Sequence, residues 1–506
     1  VTDYSPLFVD TLEIRAGNQQ ELIDLKFVMI KGIPPRDVID VETIWRGDYG
    51  HANIANDISL PPVDIPLNPN ASDYKVKTRT TGHWFGGFQN CAEFCPKLHH
   101  VKINGVKEFE WLNWKECANN PVIAQGGTWI YDRAGWCPGT FGTTYDHEIT
   151  DLVNPGDTVN IDYGMQVTSG GMEGNYRLTV QLISYGAHNF QNDASIEDVI
   201  KPNKWEYYNR FNPMCDQPEI ILKNTGEQTL ENATIEYWIC GGPHEQYTWN
   251  GSLSFDESEN VVLPIPNQSF WDHAQFCKRF HVAITQVNGT TDEYEKNNYY
   301  STTFETPPVY PNEISLWTRT NGAGYETRLF VTDVNGNEIF SRISFQNNTL
   351  YKDTLTLDPG CYKIELIDTD HDGLNFFANN DGAGYFQIRK PSGAPLAGFD
   401  SDFGDQITHY FTVGYGLSNE LNHTHSSLRC FPNPAAAEIN VELSGFTGQI
   451  EVEVLDALHK SVRSKEAYVN LFTKQINFNI SSLNTGLYFI KATDDYHSKI
   501  IKFLHQ

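Results

Sequence analysis

Apolar residues recur at every second position in short runs along this chain, and no long stretch carries the 3.6-residue spacing of a helix. YKVKTRTTG, DTVNIDYGMQV, YRLTVQLISYG and CYKIELID each alternate briefly and then stop at Gly, Asn, Asp or Pro. Alternation with period two places one face of an extended segment in a core and the other in water, so each run reads as a half-buried strand. Tyr, Phe and Trp make up 13% of the chain, with 39 Gly and 25 Pro but only 4 Met, a mixture that fits strands and turns better than helices. The VNGN step between two alternating runs, at 334–337, is a hairpin signal. The fold class is therefore all-β, built of antiparallel sandwiches or jelly rolls.

At roughly 100–200 residues per domain, the 506 residues divide into three or four units. SLPPVDIPLNP followed by NPNASD marks a boundary near residue 70, separating 1–75 from a many-stranded unit at 76–190. A polar stretch from about residue 191 leads into an immunoglobulin-like sandwich ending near 310, which Cys240 and Cys277 would bridge. Residues 311–415 form another β unit, 416–428 a polar linker, and 429–506 a final β module.

The formal charge of -28 repels phosphate backbones and anionic lipid, so nucleic acid is not an expected partner. No apolar run reaches the roughly 18 residues of a membrane-spanning helix. The chain begins at Val1 without an initiator Met, as a processed protein or a fragment would. Nine cysteines are present, an odd number, and none has the paired-knuckle spacing of a zinc site. Disulfides in an exported protein are the expectation.

Two segments carry chemistry. In NCAEFCPK, Cys91 and Cys95 flank Glu93. A bridge between them closes so small a loop that chain entropy gives only about 2 kcal/mol; its stronger effect is to fix the backbone and so aim the carboxylate. A stapled surface turn with a solvated Glu is the plainer alternative. Between Cys117 and Cys137, WIYDRAGWCPG gathers Asp132, Arg133 and Trp136. A guanidinium fork, a flat indole and a carboxylate suit a sugar ring and its amide; equally, Asp132 and Arg133 fit a structural ion pair and Trp136 a core position.

TGHWFGGFQNCAEFC followed by YDRAGWCPG resembles the second domain of the peptide-N-glycosidase F (PNGase F) family, over about residues 1–190. The resemblance implies an amidase that removes N-linked glycans from asparagine, and two side-by-side eight-stranded antiparallel jelly rolls with the active site between them. It also implies the pairs Cys91–Cys95 and Cys117–Cys137. Glu93 matches the family's catalytic carboxylate that contacts the chitobiose core; Arg133 and Trp136 match residues at the site, with Asp132 in the same substrate-binding motif, and His83 matches the His of its G-H element. The resemblance implies no metal or other cofactor for catalysis. The chain departs from the family in the first jelly roll: residues 1–75 resemble only its latter half and lack the W-D-R motif whose Asp handles the attacking water. A second family Glu aligns near LKFVMI, where no acid is present. General base catalysis supplies a factor of roughly 100 to 10,000, so its loss would be severe.

Within DTDHDGLNFFANND, Asp368, Asp370 and Asp372 alternate ahead of Gly373, the opening pattern of a calcium loop, with Asp381 as a late ligand. Asn379 stands where an EF-hand has its bidentate Glu, so this is a structural calcium loop of another kind or an Asp-rich turn capped by its own backbone. At the C-terminus, CFPNPAAAEINVEL and NTGLYFIKA resemble the type A sorting domain of the type IX secretion system. That implies export across the outer membrane of a Gram-negative bacterium, a cell-surface or secreted product, and the secretion machinery as a partner. The sequons at Asn232 and Asn288 are chance matches in such a host. Two functions follow: an amidase acting on N-glycoproteins, or a noncatalytic PNGase F-related surface protein serving as a glycan-binding or structural subunit of an outer-membrane protein complex.

Overall fold

The computed structural model describes residues 2–8, 32–84, 91–122, 125–168, 174–266, 268–275, 277–414, 427–444, 448–456, 460–469, 474–493 and 498–506. Almost all regular structure is strand. The segment LKFVMI and most of the expected 416–428 linker lie outside the described residues.

Among the described residues the first sandwich has eight strands: β1 (Arg36–Gly50), β2 (Val63–Pro66), β3 (Asp73–His83), β4 (Leu98–Ile103), β5 (Val106–Leu112), β6 (Thr144–Glu148), β7 (Thr158–Met165) and β8 (Asn175–His188). They form two sheets in the orders β1-β8-β3-β6 and β2-β7-β4-β5. β1 runs antiparallel to β8, and β2 antiparallel to β7. The division expected at residue 75 therefore falls inside β3 and does not hold: residues from 36 onward belong to the same sandwich as 76–188. The prolines that signalled a boundary lie on either side of β2 and at its end, where they mark crossovers between the two sheets. Asn104 and Gly105 both have positive φ (50° and 81°), which lets two residues turn β4 into β5.

Val76, Val101, Ile161, Tyr163, Tyr176 and Leu182 are among the buried residues that fill the space between the sheets. Two histidines share this core. His99 is fully buried with Nδ1 2.6 Å from the Tyr163 hydroxyl, and His147 is buried with Nε2 3.2 Å from Thr78 Oγ1. Burial, helped by the charge of His100, pulls His99 down to about 3, and burial pulls His147 down to about 4. The unfolded chain takes up these protons near pH 6.5 whereas the folded one does not, so stability is lost as pH falls below that value. Between pH 7 and 5 the loss is about 2 kcal/mol for each histidine. The protection of β4 and β7 amides against hydrogen exchange, relative to the unfolded chain at the same pH, is expected to fall accordingly. This readout isolates the sandwich, because Asp193 elsewhere, pushed up to about 7 chiefly by burial, acts in the opposite direction. Unchanged β4 and β7 protection at pH 5 would mean that the two imidazoles are reached by water.

The next sandwich pairs strands Ser258–Val262, Glu219–Asn224 and Ala194–Lys201 in one sheet, and Glu245–Leu253, Leu230–Ile239, Arg279–Val287 and Tyr299–Thr303 in the other. The stretch expected as a polar linker thus contains a strand, Ala194–Lys201. Its alternation was masked by charge, yet Ile196 and Val199 are buried. Cys240 pairs with Cys277.

A third sandwich has sheets ordered Val309–Tyr310, Gln406–Val413, Gly360–Asp368, Thr327–Asp333, Glu338–Arg342 and Leu350–Thr356, Glu313–Arg319, Tyr385–Arg389, Pro395–Gly398. The VNGN step forms the hairpin between Thr327–Asp333 and Glu338–Arg342, with Gly336 at φ 78°. Cys215 pairs with Cys361 on strand Gly360–Asp368. The C-terminal module has its own core, including Ile439, Val452, Phe478 and Ile490, and carries Cys430 as a free thiol.

Candidate functional site

Glu93 is held from three sides. Cys91 and Cys95 are bridged, as are Cys117 and Cys137. The amides of Ala92 and Glu93 donate to the Trp84 carbonyl at 3.3 and 3.2 Å, and the Glu93 carbonyl accepts from the Ala134 amide at 2.9 Å. Ala134 in turn accepts from Gly82 at the end of β3, also at 2.9 Å. A side chain at Gly82 would collide with the Ala92 carbonyl, so the absence of Cβ is what allows the bridged loop to lie against β3.

The Glu93 carboxylate accepts from Arg133 Nε at 3.1 Å, with the Glu side chain 18% exposed and the Arg side chain 4%. The remaining guanidinium donors also point inward. Nη1 donates to the carbonyls of Tyr131 (2.6 Å) and Trp129 (3.4 Å), and Nη2 to Thr128 at both its carbonyl (2.8 Å) and Oγ1 (3.1 Å). A guanidinium has five N–H donors, and all five are engaged. Phe94 and Trp136 lie against it, with ring centroids 4.9 and 5.1 Å from its central carbon. Arg133, expected at the substrate, has its donors on Glu93 and the 128–131 turn in this structure.

Asp132 is also occupied, its Oδ1 accepting from the Cys117 amide at 3.1 Å. Trp136 donates to the Gly82 carbonyl at 2.9 Å, and its half-buried ring lies 5.5 Å from that of His83. His83 Nε2 is 2.9 Å from Thr81 Oγ1. Burial and the nearby Arg177 charge push the His83 imidazole below its ordinary value, against the pull of Glu93 and Asp48, which keeps it neutral at pH 7. Glu93, Arg133, Trp136 and His83 are thus one cluster, and Asp132 serves its backbone.

Sequence reasoning gave no role to Trp84. It is 50% exposed, its carbonyl organises the Glu93 loop, and its φ is 82°. A bulky side chain in the left-handed region costs on the order of 1–3 kcal/mol and tends to persist where function requires it. Its position beside the GH step in TGHW was the available signal.

The Asp-rich loop differs from expectation. The carboxylates that converge are Glu326, Asp368 and Asp372, each offering an oxygen within 4.8 Å of the others, and all three residues are buried. Asp370 is exposed, and neither it nor Asp381 belongs to the group. Left-handed turns at His371 (φ 68°) and Gly373 (φ 76°) replace the regular odd-position spacing that the sequence presented.

Known proteins resemble two parts of this chain. Residues 51–183 match the family model described as the C-terminal part of peptide-N-glycosidase F, and residues 429–506 match a secretion-system C-terminal sorting domain. Peptide-N(4)-(N-acetyl-beta-D-glucosaminyl)asparagine amidase F of Elizabethkingia miricola is 30% identical over 118 residues, which is 22% of this chain and 33% of that protein. A solved structure of recombinant N-glycanase F aligns at TM-score 0.26 and 23% identity over 29% of this chain and 51% of its own. A structure of PNGF-II aligns at TM-score 0.24 and 18% identity over 31% of each chain. The chain therefore spans about a third of the length of the curated relative and about half that of the solved N-glycanase F. Over residues 51–183 it is related to PNGase F, and its tail is that of a protein exported to the cell surface or beyond.

Proposed function

We propose that this chain, PNGase F-related through its first described sandwich and exported by its sorting tail, acts on N-linked glycoproteins as an amidase. Water attacks the side-chain amide of the glycosylated asparagine, leaving aspartate and a glycosylamine. The observation that carries the reading is the Glu93 carboxylate. It is presented at the surface by a bridged loop and held through one oxygen by Arg133, and its other oxygen has no partner among the described residues. Such an acceptor fits a sugar hydroxyl or amide N–H. Trp84 and Trp136 offer flat apolar faces beside it, and neutral His83 completes the rim. In this reading residues 36–188 are a PNGase F-type jelly roll, which the strand orders β1-β8-β3-β6 and β2-β7-β4-β5 support.

One observation favours a second reading, glycan binding without hydrolysis. Among the described residues, the donors of Arg133 are all engaged, and the two further carboxylates that act on the cluster are each occupied, Asp132 by the Cys117 amide and Asp48 by Arg177, so none is left unpaired beside Glu93 to polarise a water. Incubating the chain with a denatured N-glycoprotein and weighing the products separates the two. Release of intact glycan supports the amidase. Saturable binding of an N-glycopeptide without release supports the second reading, and neither release nor binding sinks both. In either case Trp84→Ala is expected to weaken glycopeptide binding about tenfold through lost stacking. Titration by tryptophan fluorescence would check this, and unchanged affinity would remove Trp84 from the site.

A further inference from the structure

We propose that Glu326, Asp368 and Asp372 bind a calcium ion, and that this ion braces the 128–133 turn on which Arg133 and Glu93 depend. Glu326 ends the short turn Gly324–Glu326 just before strand Thr327–Asp333, and Thr327 pairs with Asp368 on the neighbouring strand, which brings the two acids together. Asp372 joins them from the loop that follows. Three carboxylates within 4.8 Å of one another, at 5%, 2% and 8% exposure, repel one another strongly when ionised. None forms an ion pair with Lys, Arg or His among the described residues. More tellingly, Glu326 Oε2 and Asp372 Oδ1 are buried with no hydrogen-bond partner among the described residues. Buried carboxylate oxygens are rarely left so, and a cation supplies the missing partner. The donors are all oxygen, with no His or Cys in the group, which suits a hard cation and not zinc.

The loops at this site continue into the candidate functional site. The Asp368 amide donates to the Asp405 carbonyl at 2.8 Å, and the Leu374 and Asn375 amides to the Ser401 carbonyl at 2.8 and 3.1 Å. From the 401–405 segment, Asp402 Oδ1 accepts from Trp129 Nε1 at 2.9 Å, and the Asp405 amide donates to the Ala118 carbonyl at 3.3 Å. Buried Arg210 ties Asp405 to the same Ala118 carbonyl. Phe376, which follows the Asp-rich turn, packs with Ala118, Trp129 and Ile130, and its ring lies 5.5 Å from that of Tyr131. Thr128, Trp129 and Tyr131 are the residues whose oxygens hold Arg133. Packing and hydrogen bonds are thus continuous from the acidic cluster to Glu93. The inference goes beyond the glycan reading and does not require hydrolysis.

The experiment uses the full chain, stripped with chelator and then titrated with calcium chloride, with magnesium chloride as a second arm. Calcium at about a hundredfold excess over its Kd is expected to raise the Tm of the third sandwich by about 5 °C or more. It is also expected to slow hydrogen exchange at residues 116–122 and 125–133. Glu326→Gln should weaken calcium binding at least 100-fold while raising the Tm of the calcium-free chain, because one repelling charge is gone. That opposite sign distinguishes a lost ligand from a damaged fold. Asp370→Asn and Asp381→Asn should bind as the unsubstituted chain does. Absence of any calcium-induced Tm shift overturns the site, and a shift that survives Glu326→Gln but not Asp370→Asn overturns the ligand set. A response to magnesium equal to that to calcium overturns the choice of ion. Protection confined to 313–413 overturns the brace.

Discussion

Glu93→Gln is expected to slow glycan release at least 100-fold while leaving the fold intact. The substitution keeps the shape and the acceptor toward Arg133 Nε but removes the charge, which is what stabilises positive or donor character in the reacting amide and sugar. Losing a single preorganised electrostatic contact of this kind costs on the order of 100- to 1,000-fold in rate. Arg133→Lys should reproduce much of the defect from a distance. Lysine has three donors where the guanidinium engages five, so at least two acceptors among Glu93, Thr128, Trp129 and Tyr131 are orphaned. Each such orphan costs about 1–3 kcal/mol, so Arg133→Lys should also lose amide protection around 128–131, which Glu93→Gln should not. The measurements are kcat/KM on an N-glycopeptide by mass and hydrogen exchange on the same samples. A Glu93→Gln variant as fast as the original would remove Glu93 from the chemistry, and an Arg133→Lys variant with normal exchange would remove its positioning role.

The second large effect belongs to the Cys215–Cys361 bridge, which spans 146 residues. Closing a loop of that length constrains the unfolded chain by about 5 kcal/mol in the chain-entropy treatment, against about 2 kcal/mol for the four-residue separation of Cys91–Cys95. Both partners are buried, at 0% and 2% exposure, so replacing the pair by serine also buries hydroxyls in an apolar setting. Calorimetry of the double variant Cys215→Ser with Cys361→Ser is expected to place the transition of the Cys361-bearing sandwich lower by ten degrees or more, on the order of 2–4 °C per kcal/mol. Cys430→Ser, at the free thiol, should leave it in place. A shift in the double variant no larger than that of Cys430→Ser would mean that the bridge contributes nothing.

Much of the strand content was readable because period-two alternation needs no knowledge of partners. The VNGN hairpin and the acidic Asp368–Asp372 stretch were legible for the same local reason. Three things were not. The Pro-rich stretch around β2 reads as a linker because a crossover between sheets and a boundary between domains call for the same breakers; only the pairing of β1 with β8 decides between them. Glu326 lies far upstream of the Asp-rich loop, and no spacing rule links it to Asp368; their meeting is a product of strand register. Arg133 was visible as a guanidinium beside tryptophan, but whether its donors face a ligand or the protein depends on where the carbonyls of Thr128, Trp129 and Tyr131 turn. Carbonyl direction is a tertiary property, and the sequence offered only that the residues are close in chain.

The two small bridges around Glu93 also bear on timing. Disulfides persist where thiols are oxidised, and a sorting tail marks a chain that travels to such a place. Before oxidation, the loop bearing Glu93 lacks its clasp and the 117–137 segment that carries Arg133 lacks its own. On the amidase reading, oxidation after departure would complete the site.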